Sequence, residues 1–450
     1  MQKVFKFIFY SSLILLSHCS FDNKTGIWNE QNSPGKKKKN EVINTNLEDV
    51  FVKNKNYKAE KSVNSNYLFN IEEPIKNKNW NFLFQNISNN LAHIYYYDKK
   101  KLLLVSKKLS KNIKKSRIFI EDDNIIYSDS MGNIFVYSSS LNNKIFSFNF
   151  YKKKYKKSNI KIYLAVKDNI IYAADNLGYT YALDYKLKKL VWAKELGIPF
   201  RSNIMIHNNQ MFVANQDNNI YSFNTINGTV NWNFATDTTR LKASFENNII
   251  VDSKNSSIFF LNASGILYSI NYTRKVINWI INLQRSSISI ENEIYEGKPI
   301  SLNNDKIVVS GLNNLYSFNS FTGQQMWKQP VVSATKVLQT ENNIFLITNE
   351  NLLICLDSVN GDIVWSQNIF RNLNPKKYNI KKTGKFRSIF LVNYKVFLFS
   401  DNGYLFSYDY KNGSVKSIHK ILKKGLDSDP IFSDGFMFVV DGKKKLLKFE

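Results

Sequence analysis

At 450 residues, with 43% hydrophobic and 14% aromatic side chains, the chain has enough apolar material for a large folded body, and its composition excludes disorder along that body. Its formal charge of +26 invites a nucleic-acid reading, but the lysines are spread among Asn, Ile, Phe and Tyr, and no Arg-rich or aromatic-basic motif gathers them. The basic balance therefore reads as solvated surface, with room for attraction to anionic headgroups, and no nucleic-acid partner is expected.

The N-terminus MQKVFKFIFYSSLILLSHC has the layout of an export signal. Lys3 and Lys6 precede an apolar run to Leu16, short of the roughly 20 residues that cross a bilayer as a helix. Leu16–Cys19, LSHC, resembles a lipobox, in which a bacterial lipoprotein is cut before Cys and acylated on its sulfur. His18 departs from that motif, which has Gly, Ala or Ser there. Residues 1–19 are thus expected to be a lipoprotein signal peptide, with Cys19 as the lipidation (palmitate) site. Once Cys19 is acylated, Cys355 in LLICLD has no disulfide partner and reads as a small buried core residue.

Residues 20–78 are polar, rich in Asn and Lys, and without sustained periodicity, so they read as a flexible tether that includes Lys36–Lys39. With 11 Lys against 8 Asp/Glu the tether carries only +3 and the signal +2, which leaves +21 on residues 79–450.

From about residue 118 the chain repeats itself. Each copy reads as strand, polar turn, strand, turn, and a third strand alternating in period two: GYTYALD, NNIYSFN, GILYSIN, NNLYSFN, NLLICLD, GYLFSYD. The first polar residue after that strand falls at Ser138, Asp184, Asn224, Asn271, Asn319, Asp357, Asp409 and Glu450, with gaps of 38 to 52 residues. Eight positions beyond these markers stand Phe146, Trp192, Trp232, Trp279, Trp327, Trp365 and Ser417. Asn or Asp opens the intervening turn, and Gly228, Gly323, Gly361 and Gly413 supply the positive φ that closes it. A four-stranded unit of this kind cannot bury both faces alone. Eight units packed face to face in a ring predict an all-β fold, an eight-bladed β-propeller over residues 79–450, with indoles wedged between neighbouring sheets. The eighth copy supplies three strands only. Trp80, in NKNWNFLF, is the expected outer strand of that blade, so an N-terminal strand would close the ring.

These residues resemble the tryptophan-docking repeats of the quinoprotein (PQQ-like) β-propellers. Together with LSHC, the tether, and the pair SDNGYLFSYDYKNG and KKGLDSDPIFSDGFMFVVDG, they are most similar to the outer-membrane protein assembly lipoproteins. That resemblance implies a non-catalytic scaffold, lipid-anchored at the outer membrane and facing the periplasm. It implies docking on BamA among other components of the assembly complex, and aid to outer-membrane protein precursors. The family's docking stretches fall on Arg240, Leu241 and Lys242 in the link after the third repeat, and on Tyr295 and Glu296 in the link after the fourth. Ser366–Arg387 is a competing long link.

The alternative is a periplasmic PQQ-like ligand-binding or redox propeller. Enzymes of that superfamily use adjacent cysteines against the quinone, and acidic and amide ligands for Ca²⁺. Here Cys355 is alone in the repeats, and His18, His93, His207 and His419 are scattered outside any metal-ligand spacing. The carboxylates Asp122, Asp123, Asp427 and Asp429 sit in turns. No catalytic residues, metal or cofactor are expected.

Overall fold

Each repeat folds into one antiparallel sheet, and the burial pattern explains its composition. In the sixth blade the strands are Leu338–Gln339, Asn343–Ile347, Leu352–Asp357 and Ile363–Asn368, paired in that order. Asn343–Ile347 is buried at every position, because a neighbouring sheet covers each of its faces. Most outer strands show the opposite: in Val230–Phe234 only Trp232 is fully buried, whereas Ile363–Asn368 of blade six is buried over its first four residues. In four blades a two-residue turn joins inner to second strand with both central residues at positive φ, as at Asp168 and Asn169 (54° and 66°) and at Asn208 and Asn209 (46° and 56°).

The computed structural model describes residues 56–113, 117–151, 155, 159–237, 245–284 and 295–450. Among them are eight four-stranded sheets whose inner strands neighbour one another around a ring: an eight-bladed β-propeller. Among the described residues the helical content is one short turn, Ile380–Thr383, capped by Asn379.

The recurrent tryptophan is aimed by a β-bulge. In blade three Ser222 pairs with Trp232 but Phe223 pairs with Val230, so Asn231 is extra; the same shift recurs beside Trp192, Trp279, Trp327 and Trp365. The redirected indole reaches the turn of the next blade. Trp192 Nε1 donates to Thr225 O at 2.8 Å, Trp279 to Ser320 O at 3.2 Å, Trp327 to Ser358 O at 3.1 Å and Trp365 to Tyr410 O at 3.1 Å. Each ring lies flat on a turn glycine. A Cβ on Gly228, Gly361 or Gly413 would stand 2.5 Å from the Trp192, Trp327 or Trp365 ring. Glycine is required there twice over, for its φ and for its missing side chain. Trp232 is equally buried, but the turn it faces, around Tyr272, has no glycine and gives its Nε1 no acceptor.

An N-terminal strand closes the last blade, but it is Leu102–Lys108 and not the Trp80 segment. It pairs antiparallel with Lys445–Phe449, with Leu102 opposite Phe449 and Lys108 opposite Lys445. Trp80 is instead 2% exposed at the centre of the ring and exchanges two backbone hydrogen bonds with Ile120 of the first inner strand. The closing strand needs no tryptophan, and its apolar Leu102, Leu103 and Val105 are each over two-fifths exposed.

Residues 77–97 form a plug across the channel. Backbone or side-chain bonds tie Asn77 to Asp434, Asn81 to Val166, Ile87 to Val251, Ser88 to Leu302, Ile94 to Leu391 and Tyr97 to Gly435. All these partners lie where inner strands finish, so the plug closes the face that carries the inner-strand turns. The expected tether also ends sooner than residue 78. Lys61 and Ser366 exchange backbone hydrogen bonds, Tyr57 N donates to Pro330 O, and Tyr67 Oη donates to Asp357 Oδ2 at 2.9 Å. Residues 56–75 are thus strapped onto the propeller through outer-strand and turn groups that have hydrogen-bonding capacity to spare.

Two substitutions separate the two demands on glycine. Gly197 has φ +71° but open space around its Cβ position, whereas Gly361 has φ +77° and Trp327 above it. Gly197→Ala is expected to lower stability by about 1 kcal/mol, and Gly361→Ala by about 2–4 kcal/mol. Equal shifts in urea midpoint for the two variants would contradict indole docking as the reason for Gly361.

Candidate functional site

The other face is the one where outer strands link to the next inner strand. Above the plug lies a chamber of about 230 Å³. Its floor is Trp80, Leu83, Phe84 and Leu91 from the plug, and its wall comes from the first residues of inner strands: Arg117 and Ile118, Lys336, Arg387 to Phe390, and Asp429 to Ile431. Strand polarity explains the division. Inner strands begin at the link face and finish at the plug, so residues that open them line the chamber.

Charge in the chamber is almost fully paired. Arg117 Nη2 lies 2.9 Å from Glu246 Oε2, and Lys161 meets the other oxygen of the same carboxylate. Arg387 Nε lies 3.3 Å from Asp429 and 3.7 Å from Asp401, while its Nη1 donates to Leu426 O. Removal from bulk water raises the Asp429 pKa, and the two arginines offset part of that rise. Lys336 differs. Its Nζ donates to Val337 O at 3.0 Å and lies 5.4 Å from the Phe84 ring centroid, with no carboxylate against it among the described residues. The residue is 8% exposed, and burial alone pushes its pKa down to about 7.

Beside the chamber, a second hollow of about 340 Å³ is bordered by Phe245–Asn248 and Glu296–Pro299, the ends of the two expected docking links. Arg240, Leu241 and Lys242, like Cys19, lie outside the described residues. Glu296 is exposed on the hollow's edge. Tyr295 does not present itself to a partner: it is 1% exposed, meets Phe245 edge-on at 5.5 Å, and covers Gly265 and Gly297. Its ring anchors the link between blades four and five, a role that an aromatic beside a glycine could have signalled. The competing link after blade six is itself folded, with Phe370 stacked on Phe386 and Tyr378 edge-on to Tyr404. Sequence reading missed Lys336 and Arg117, because isolated basic residues at strand starts carry no pattern.

Residues 147–367 match the family described as "Outer membrane protein assembly factor BamB". Among curated relatives, tetrathionate hydrolase of Acidithiobacillus ferrooxidans is 24% identical over 210 residues, 46% of this chain and 36% of that one. BamB of Shewanella oneidensis is 21% identical over 303 residues, 60% of this chain and 69% of that one. The chain thus matches about a third of the first relative's length and about two thirds of the second's. Among solved structures, BamB from Moraxella catarrhalis superposes with a TM-score of 0.60 at 13% identity, covering 78% of this chain and 100% of that one. Quinohemoprotein alcohol dehydrogenase from Comamonas testosteroni also gives 0.60, at 9% identity over 82% and 80%. At these identities the superpositions speak for the fold alone.

The residues present do not fit the quinone that names the superfamily. Among the described residues, a tricarboxylate would meet one unpaired cation in the chamber, Lys336. Cys355 is wholly buried in blade six, with no neighbouring thiol among the described residues, and no group of three His, Cys, Asp or Glu there is placed to hold a metal ion.

Lys336 leaves a signature in the pH dependence of stability. Its unfolded pKa is about 10.4 and its folded value is depressed, so between about 7 and 10.4 the unfolded chain holds a proton that the native one lacks. Stability contributed by this group therefore rises with pH across that window, and the penalty is present in full below about 7. Lys336→Met is expected to stabilise the fold by about 1–4 kcal/mol at pH 7, with the gain fading toward pH 10. A melting-temperature difference independent of pH would contradict the buried, uncompensated ammonium.

Proposed function

We propose that this chain, a BamB-like propeller of the PQQ-repeat type, is a non-catalytic scaffold lipoprotein of the outer-membrane β-barrel assembly machinery. It docks on BamA, meets other components of the assembly complex, and helps outer-membrane protein precursors to insert. One observation carries the reading: the BamB match over residues 147–367 spans both links that carry Arg240–Lys242 and Glu296, and only the start of the competing Ser366–Arg387 link. Leu241 is the apolar anchor, flanked by Arg240 and Lys242, which set orientation; Glu296 adds an acidic group at the neighbouring link. Tyr295 supports this surface from beneath. The lipid on Cys19 holds the protein at the outer membrane on its periplasmic side.

A second reading, a periplasmic ligand-binding or redox propeller, draws on the open channel chamber and on the likeness to tetrathionate hydrolase. Saturable binding of PQQ and Ca²⁺ with dye-linked alcohol oxidation would replace the scaffold by this reading.

Arg240→Glu combined with Leu241→Ala is expected to weaken BamA capture from detergent-solubilised envelopes by roughly thirtyfold, equivalent to about 2 kcal/mol or more, at unchanged melting temperature. If equivalent changes in the 366–387 link remove the partner while the 240/241 variant keeps it, docking belongs to the other link. Cys19→Ser is expected to leave a foldable protein that fractionates away from membranes. Retention there, together with absent fatty-acid labelling of the parent chain, would exclude the anchor.

A further inference from the structure

The chamber above the plug has the makings of a small-molecule site, bordered on one side by Pro299 at the end of the link after blade four. It is walled by inner strands on the link face and floored by residues 80–91, so it is a blind pocket instead of a through-channel. Its floor and wall bring three aromatic rings, Trp80, Phe84 and Phe390, against a few charged groups. Of the charges, Arg117 is taken by Glu246, and Arg387 by Asp429 and Asp401. Lys336 alone is left, more than nine-tenths buried, with one backbone carbonyl bond for an ammonium that has three donors. A buried cation without a counter-ion is costly; it either gives up its proton or gains an anion, and two free ammonium donors at a chamber wall suit the second. The single uncompensated charge selects a monoanion over phosphate esters or polycarboxylates. The rings select an apolar or aromatic body, and about 230 Å³ accommodates on the order of ten non-hydrogen atoms.

We propose that the channel chamber binds a small aromatic monocarboxylate, with the carboxylate on Lys336 and the ring against Trp80, Phe84 and Phe390. The ligand stays unmodified: its binding exchanges water around the ammonium for a charge-assisted hydrogen bond and buries the ring on the plug. Because Lys336 is held near neutrality by burial, the carboxylate binds the protonated amine and carries a proton into the complex at higher pH. The other charged groups lining the chamber are Arg117, Arg387 and Asp429, with Glu246 behind Arg117.

The test is titration calorimetry of the whole chain with phenylacetate, paralleled by tryptophan fluorescence, since Trp80 forms part of the floor. Saturable binding is expected at pH 6, weakening about tenfold per pH unit above about 7, so that Kd at pH 9 is about a hundredfold higher. Lys336→Met, which is expected to stabilise the fold, is expected to lose binding at least tenfold and to lose its pH dependence. Asp429→Asn is expected to keep the same midpoint, which separates the lysine from the neighbouring carboxylate. Neutral 2-phenylethanol is expected to bind at least tenfold more weakly than phenylacetate. The proposal is overturned by no saturation up to about 10 mM phenylacetate at pH 6, by undiminished binding in Lys336→Met, or by equal binding of 2-phenylethanol. Tighter Lys336-dependent binding of PQQ than of phenylacetate would overturn it in favour of a polyanion site. None of these outcomes touches BamA capture, so the two readings fail separately.

Discussion

The structure depends on one contact repeated around the ring: an indole, turned outward by a bulge, lying on a bare glycine of the next blade and donating its N–H to that turn. Each contact buries a large flat ring and satisfies its polar edge at once, so it fixes the angle between sheets as well as their distance. Sheets alone would not do this, because face-to-face apolar packing is tolerant of sliding. Trp192, Trp279, Trp327 and Trp365 all make the bond. Between blades three and four Trp232 is buried without an acceptor, so that joint relies on apolar packing, with the Phe212 ring of blade three 5.7 Å from Tyr272 of blade four.

The N-terminal segment adds a second set of ties between the blades. Ser417 replaces the ring in blade seven and the closing strand of blade eight has none, and there Ile94 joins the end of the seventh inner strand and Tyr97 joins Gly435. Residues 56–67 bind instead to blades five and six, where Tyr57 meets Pro330, Lys61 meets Ser366, and Tyr67 reaches Asp357 and Asn343. A segment that reads as a linker by composition is therefore partly built into the ring. Polar Asn and Tyr side chains suit that task, since they can meet strand edges and turns that have no partner of their own.

What was legible in the sequence is what repeats. Markers at steady spacing, alternating third strands and the tryptophan offset are enough to give eight blades and the turn glycines. The bulge that aims each indole is legible only in hindsight, as the odd residue between marker and ring. Non-repeating features were misread for the same reason. Trp80 looked like another docking tryptophan, but a tryptophan outside the repeat register obeys no such rule, and it went to the channel. KLLLVSKK, with exposed leucines beside lysines, gave no hint that it closes the ring. The family resemblance predicts Tyr295 in a docking stretch, whereas its ring fills a gap over two glycines. Lys336 and Arg117 were invisible because their meaning comes from neighbours hundreds of residues away.

The closing pair of strands has a consequence for how the molecule comes into being. Ser106 receives a hydrogen bond from Leu446, 340 positions later, and Leu102 lies opposite Phe449. Until the 445–449 stretch has been synthesised, the first closing strand has nothing to pair with, and seven sheets form an open arc with bare edges at both ends. Contacts of such sequence separation form late and slowly, while exposed edges invite pairing with the wrong chain. Closure of the ring therefore waits on residues 445–449, whichever blades have formed before them.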